Sequence, residues 1–392
     1  MKRFIVLMLL AGATLQAQQI PAATELPGKP FLIKHTWIIG GEGSWDYMAL
    51  DPVALQLFVA HGPVVQVVDV NSGTVAGQIT GLREAHAIAL DDSGEVGYIS
   101  DGPAAQVKVF DRRTFKVVAS IPAAPNPRAL TFDPQTRLLF VVSADTQRAT
   151  PPRPGNTRPP INPEIRSTIT VIDAQSQTVL ASILLPGRLG FAQIGGGGHL
   201  YINVVDRNQI ARLDVQAIVS GLHDPQTKSE SVLDWSAAPS SGGRFSVLAL
   251  GPDCRQPSGL AIDAAHQRLF VACGNMRMVV LNPSTGEQVA SLPIGPGADA
   301  IGYDPGRGLI YTANGGAQGS LTVVSQDVTD TYSEIQNVPT RQRARTLAVN
   351  PVTGEVYLVT DVVGVKLDQP GGIGALKTAP MSGSFQVLVI GN

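Results

Sequence analysis

The sequence predicts an all-β chain, a seven-bladed β-propeller with four-stranded antiparallel blades. Three observations carry this: a repeat of about 40 residues present seven times, apolar strand-length segments separated by turn residues, and a spare strand at the N-terminus where the last repeat lacks one. The first copy reads DYMALD, LQLFVAHG, VVQVVDV, then NSG and TVAGQIT. Later copies start at HAIALD (86 to 91), RALTFD (128 to 133), GFAQIG (190 to 195), SGLAID (258 to 263), DAIGYD (299 to 304) and RTLAVN (345 to 350). The period is 40 from Asp51 to Asp91, 42 to Asp133, and 41 from Asp263 to Asp304. Four strands within such a period are the pattern of propeller blades.

The segments are rich in Val, Ile and Leu and are bounded by Gly, Asp, Asn and Pro, as strands and hairpin turns require. No stretch shows a long helical period. The last repeat ends at Asn392 with three strands, so FLIKHTWII (31 to 39) is expected to complete its sheet and to remove an open edge.

Three insertions interrupt the period. Thr150 to Pro163 in repeat 3 and Val362 to Ser384 in repeat 7 both follow a second strand and leave from one face; Gln216 to Arg244 in repeat 4 follows a third strand and leaves from the other.

The chain begins with Lys2 and Arg3, an apolar run from Phe4 to Leu10, and small residues to Ala17, the plan of a secretory signal peptide. That run is too short to span a bilayer. The expected organisation is a signal peptide over 1 to 17, an extension over 18 to 30 and one propeller over 31 to 392, in a periplasmic or secreted protein. The formal charge of -2 becomes about -4 once Lys2 and Arg3 leave, which points away from nucleic acid. In an oxidising compartment Cys254 and Cys273 read as a disulfide, the alternative being two buried thiols.

In a propeller the innermost strands line a channel, and one mouth gathers the starts of those strands and the loops after each second strand. Two polar rings fall there: Asp46, His86, Arg128, Gly190, Ser258, Asp299 and Arg345, then His61, Asp101, Asp145, Asp206, Asn275, Asn314 and Asp361. Asp and Asn after a strand also serve turns, and that is the plainer reading of most of the second ring. His61 and His86 are not needed for turns; with Asp46 they are the candidates for a divalent cation, while Arg128 and Arg345 suit a carboxylate. The candidate binding residues are therefore Trp45, Asp46, His61, His86, Asp101, Arg128, Asp299 and Arg345. His199 and His266 fall on the opposite face. No nucleophile elbow, P-loop or haem-attachment motif occurs.

The segments GGEGSWDYMALD (40 to 51), RLFVACGN (268 to 275), GLIYTANGG (308 to 316), RARTLAVNPVTGEVYLVTD (343 to 361) and GSFQVLVIG (383 to 391) resemble the YVTN-type, YncE-like propellers of the bacterial envelope. That resemblance implies a non-catalytic binding or scaffold protein, with an envelope protein or small molecule as partner and no firmly implied cofactor. Related propeller groups include lactonases and a lyase, so a metal-dependent hydrolase or lyase at the same mouth is the second expectation. Docking to an envelope redox partner is the third.

Overall fold

The computed structural model describes residues 28 to 144, 165 to 223, 232 to 234, 244 to 327, 330 to 367 and 376 to 392. Residues 1 to 27, where the signal peptide is expected, Asp145 and the repeat 3 insertion lie outside them. Seven antiparallel sheets form a ring. In blade 1 the strands run Trp45–Asp51, Gln56–His61, Val64–Asp69 and Thr74–Ile79, from the channel outwards. The innermost strands of blades 2 to 7 are Ala85–Leu90, Pro127–Asp133, Leu189–Gly195, Pro257–Asp263, Ala298–Asp304 and Leu347–Val349. Each touches the next, and Leu347–Val349 meets Trp45–Asp51 to close the circle.

The burial of the strands follows from this geometry. Second and third strands are covered on both faces by neighbouring blades, so they read as continuous apolar runs such as Leu138–Ser143, buried throughout. Fourth strands face solvent and alternate, as in Lys116–Pro122. The repeated aspartates are turn residues: Asp69 Oδ1 accepts the N–H groups of Asn71 and Ser72 at 2.9 and 2.8 Å, and Asp111 does the same for Arg113 and Thr114. Asp51 adds an inter-blade bond, because the buried Arg112 of blade 2 pairs with it and donates to the Asp91 carbonyl at 2.9 Å.

Residues Leu32–Ile38 pair antiparallel with Gln386–Gly391 and form the outer strand of blade 7, whose inner strands are Leu347–Val349 and Val356–Thr360. This closing strand also binds both neighbours. Phe31 exchanges two hydrogen bonds of 2.8 Å with the Gln336 amide of blade 6. Trp37 stacks on Tyr357 at 5.8 Å and reaches the Gly73 turn of blade 1.

The repeat 4 insertion departs from the expectation of strands alone. Asp214 caps a helix, Val215–His223, by accepting the Ala217 N–H at 3.0 Å, and Val215 and Ile218 enter the core between blades 3 and 4. Nine residues are too few for a helical period to stand out, and Asp214 occupies the place where other repeats carry a turn aspartate. Within the same insertion Val232–Asp234 adds a parallel fifth strand beside Ser182–Leu184 of blade 3. In repeat 7 the insertion makes a hairpin of Val363–Leu367 and Leu376–Pro380. Cys254 and Cys273 form a disulfide in blade 5 with Cα atoms 5.3 Å apart, inside the range such a bridge spans.

Candidate functional site

Residues of the first polar ring reach the channel through one repeated local device. In blades 1 to 6 the pairing of the first two strands shifts register near its mouth end, between Trp45 and Met48, Ala85 and Ile88, Pro127 and Ala129, Leu189 and Ala192, Pro257 and Gly259, and Ala298 and Ala300. Asp46, His86, Arg128, Gly190, Ser258 and Asp299 fall in those interruptions. A bulge re-aims the side chains of its strand, which makes these positions free to face the channel rather than the neighbouring blade.

The result is a cup of about 630 Å³ at the mouth. Its lining includes Asp46, Arg128, Arg188, Asp299 and Arg345 among charged residues, with Tyr47 and Phe191 below. Tyr47 of blade 1 and Phe191 of blade 4 meet across the channel with ring centroids 5.1 Å apart. Under them lies a second space of about 390 Å³, lined by residues such as Ile88, Leu130, Phe132, Ile262 and Ile301. The two aromatic rings therefore divide the channel into a charged upper chamber and an uncharged lower one.

The charged groups are unequally engaged. Arg345 donates to Asp299 Oδ2 at 3.0 Å and to the Trp45 carbonyl at 3.2 Å. Asp46 Oδ2 bonds His86 Nδ1 at 2.9 Å and lies 3.7 Å from the Arg128 guanidinium, which is half exposed. The Arg188 N–H is held by Asp206 at 2.7 Å, while its exposed side chain lines the cup without a side-chain bond among the described residues. Enclosure in the channel raises the Asp299 carboxyl above the usual carboxylate range; Arg345 opposes this and the Asp46 charge adds to it. Enclosure, with Asp299 and Asp46 nearby, also pushes the Tyr47 phenol well above the usual tyrosine value.

The second ring does other work. Asp101 accepts the N–H groups of Arg83 and Glu84 at 3.0 Å each, Asp206 that of Arg188, and Asn275 that of Arg255 at 2.9 Å. Asp361 binds the Arg343 guanidinium at 2.8 Å, and His61 makes a backbone hydrogen bond with Gly43. In blades 1, 2, 4 and 7 the partner sits 18 residues upstream, in the loop leading to the innermost strand. In blades 1, 2, 4, 5 and 7 the end of the second strand thus clamps that loop. In blade 6 the residue 18 places upstream of Asn314 is Pro296, which has no N–H, and Asn314 turns to Ser320 and Thr322 instead.

The structure therefore brings Asp46, His86, Arg128, Asp299 and Arg345 together and leaves His61, Asp101 and Trp45 outside the cup lining, Trp45 meeting the group through Arg345. His61 is 1 % exposed, hydrogen-bonds Gln66 at 2.8 Å, and packs on Phe385 at 3.9 Å. Burial lowers its pKa. Trp45 is buried against Phe385, with the Arg343 and Arg345 guanidiniums over its ring. His86 too is buried, and its Nε2 edge lies so close to Gly102 that a Cβ there would be 2.6 Å away. Of the cation candidates, Asp46 and His86 bond each other while His61 is engaged elsewhere, and among the described residues no three His, Cys, Asp or Glu are grouped to hold a metal ion. Tyr47, Phe191 and Arg188 are among the cup residues the repeat alignment missed. Each stands one or two places from a ring position, a slip that the bulges explain.

No protein-family model matches the chain, and no curated protein matches it. Among solved structures, that of U3-55K superposes with a TM-score of 0.62, covering 90% of this chain and 97% of that one at 10% identity. The likeness shows the propeller fold and nothing finer.

Proposed function

We propose that this propeller is a binding protein whose ligand sits in the cup at the channel mouth, and that it works in the bacterial envelope. The observation that carries the first part is the Tyr47–Phe191 contact, because it turns an open channel into a floored chamber of ligand size with charged walls. The second part rests on the N-terminal basic and apolar pattern, the Cys254–Cys273 bridge and the resemblance to YncE-like propellers.

Hydrogen exchange with and without a bound small molecule tests the cup. Protection should gather at residues 45 to 47, 126 to 129, 188 to 192 and 298 to 299. Protection confined to the repeat 4 insertion would remove the cup as the site. N-terminal sequencing of protein recovered from the periplasm tests export, which requires a chain starting near Gln18. Elemental analysis of the same material separates a binding protein from a metal-dependent hydrolase or lyase.

A further inference from the structure

The cup is lopsided. Blades 1 and 6 contribute carboxylates, Asp46 and Asp299, each already bonded to a basic side chain. Blades 3 and 4 contribute Arg128 and Arg188 above an apolar wall that includes Ala129, Val142, Leu189 and Phe191. Three guanidiniums face two carboxylates in the lining. Arg345 is consumed by Asp299 and the Trp45 carbonyl. Arg128, 51% exposed, has only a 3.7 Å approach to Asp46, a partly exposed pairing of little worth in water. Arg188 has no side-chain bond among the described residues.

We infer that the cup takes a small organic anion, a carboxylate or phosphate group on an apolar body, with its head between Arg128 and Arg188 and its body on Phe191. This rests on the cup being the binding site. Guanidinium forks match the oxygens of either head group and form charge-assisted hydrogen bonds with them. The Asp299 carboxylate repels an anion, and Asp46, 3.7 Å from Arg128, limits its approach on that side, so the head lies towards Arg188. The cup is large against a single oxyanion, so the apolar wall must be covered by the rest of the molecule if water is to be displaced from it. The anion-binding arginines are therefore Arg128 and Arg188, in place of the Arg128 and Arg345 that the sequence suggests, because Arg345 is already paired.

The test uses matched sets of small aromatic and aliphatic compounds, each set a carboxylate, a phosphonate, the neutral amide and the amine. Binding is followed by isothermal titration and by shifts of the Tyr47 and Phe191 resonances. Carboxylates or phosphonates should bind more tightly than their amides and amines, and lose affinity with added salt. Arg128→Gln and Arg188→Gln should each weaken the anion about tenfold and leave the amide unchanged, with melting temperatures as in the parent. The better of the two anions identifies the head group. If amines bind best, or if neither substitution changes anion affinity, the ligand class is wrong while the cup stands as a site. If no compound of any charge shifts Tyr47 or Phe191, the cup itself falls, and this inference with it.

Discussion

Trp37 and Gly73 are fitted to one another: the indole of the closing strand occupies the space where a Cβ on Gly73 would stand. The two residues lie in blades 7 and 1, so this contact is part of the seam at which the ring shuts. Gly73 also has φ +69°, a left-handed conformation that non-glycine residues resist.

Gly73→Ala combines backbone strain with a collision against Trp37. It should cost about 2–4 kcal/mol in urea denaturation. Gly94→Ala is the control, because Gly94 has φ +80° and open space around its Cβ position, so strain alone applies. Equal losses for the two variants would show that the Trp37 contact does not hold the seam.

Asp101 tests the loop clamp. Asp101→Ala leaves the N–H groups of Arg83 and Glu84 without their acceptor, at a cost of about 2 kcal/mol. Asp101→Asn keeps an oxygen in place and should recover at least half of that loss. Thermal melts of both variants decide the matter; equal destabilisation by Asn and Ala would mean that the charge, and not the clamp, is what the site needs.

Asp299 carries a definite pH signature. Its folded pKa is raised, so below the ordinary aspartate range both folded and unfolded chains hold the proton and the group has no effect. As pH climbs towards and past the folded pKa, the folded protein must carry a charge in a poor place and loses stability. Asp299→Asn removes that loss and keeps an acceptor for Arg345. The stability of the variant relative to the parent should therefore rise between about pH 3 and pH 7, as measured by denaturation at each pH.

Arg112 should show the opposite trend. For Asp51, burial raises the pKa but is outweighed by the Ala54 N–H and by Arg112, and the net shift is downward. The stability that Asp51 confers is present above its unfolded pKa and disappears as pH falls through the folded one. Arg112→Leu leaves the buried Asp51 without its cation, while Asp91 keeps Arg137 at 3.5 Å, and should cost about 3–5 kcal/mol at neutral pH. It should cost much less in acid, where denaturation curves of parent and variant draw together.

The fold was legible because its information is periodic. Seven copies of one strand pattern announce the blades, and three strands in the last copy announce that 31 to 39 must supply the fourth. The site was only half legible. Asp46, His86, Arg128, Asp299 and Arg345 fall on the ring that alignment of repeats picks out, but Tyr47 and Phe191 lie one place further along. Which of two adjacent residues faces the channel depends on a bulge, and a bulge leaves no mark in composition. His61 and Asp101 share their polarity with ligand-binding residues and serve as braces. Their partners are backbone groups 18 residues away, which a reading of side-chain types does not see. The parallel strand Val232–Asp234 was hidden for a related reason: three residues carry no period, and their partner strand belongs to the preceding blade.

In blade 7 the pairing of Leu32 with Gly391 sets both ends of the described chain on the face away from the cup. The third strand of every blade descends from the mouth, and the closing strand climbs back beside it. A molecule held by that face stands with its cup presented outward.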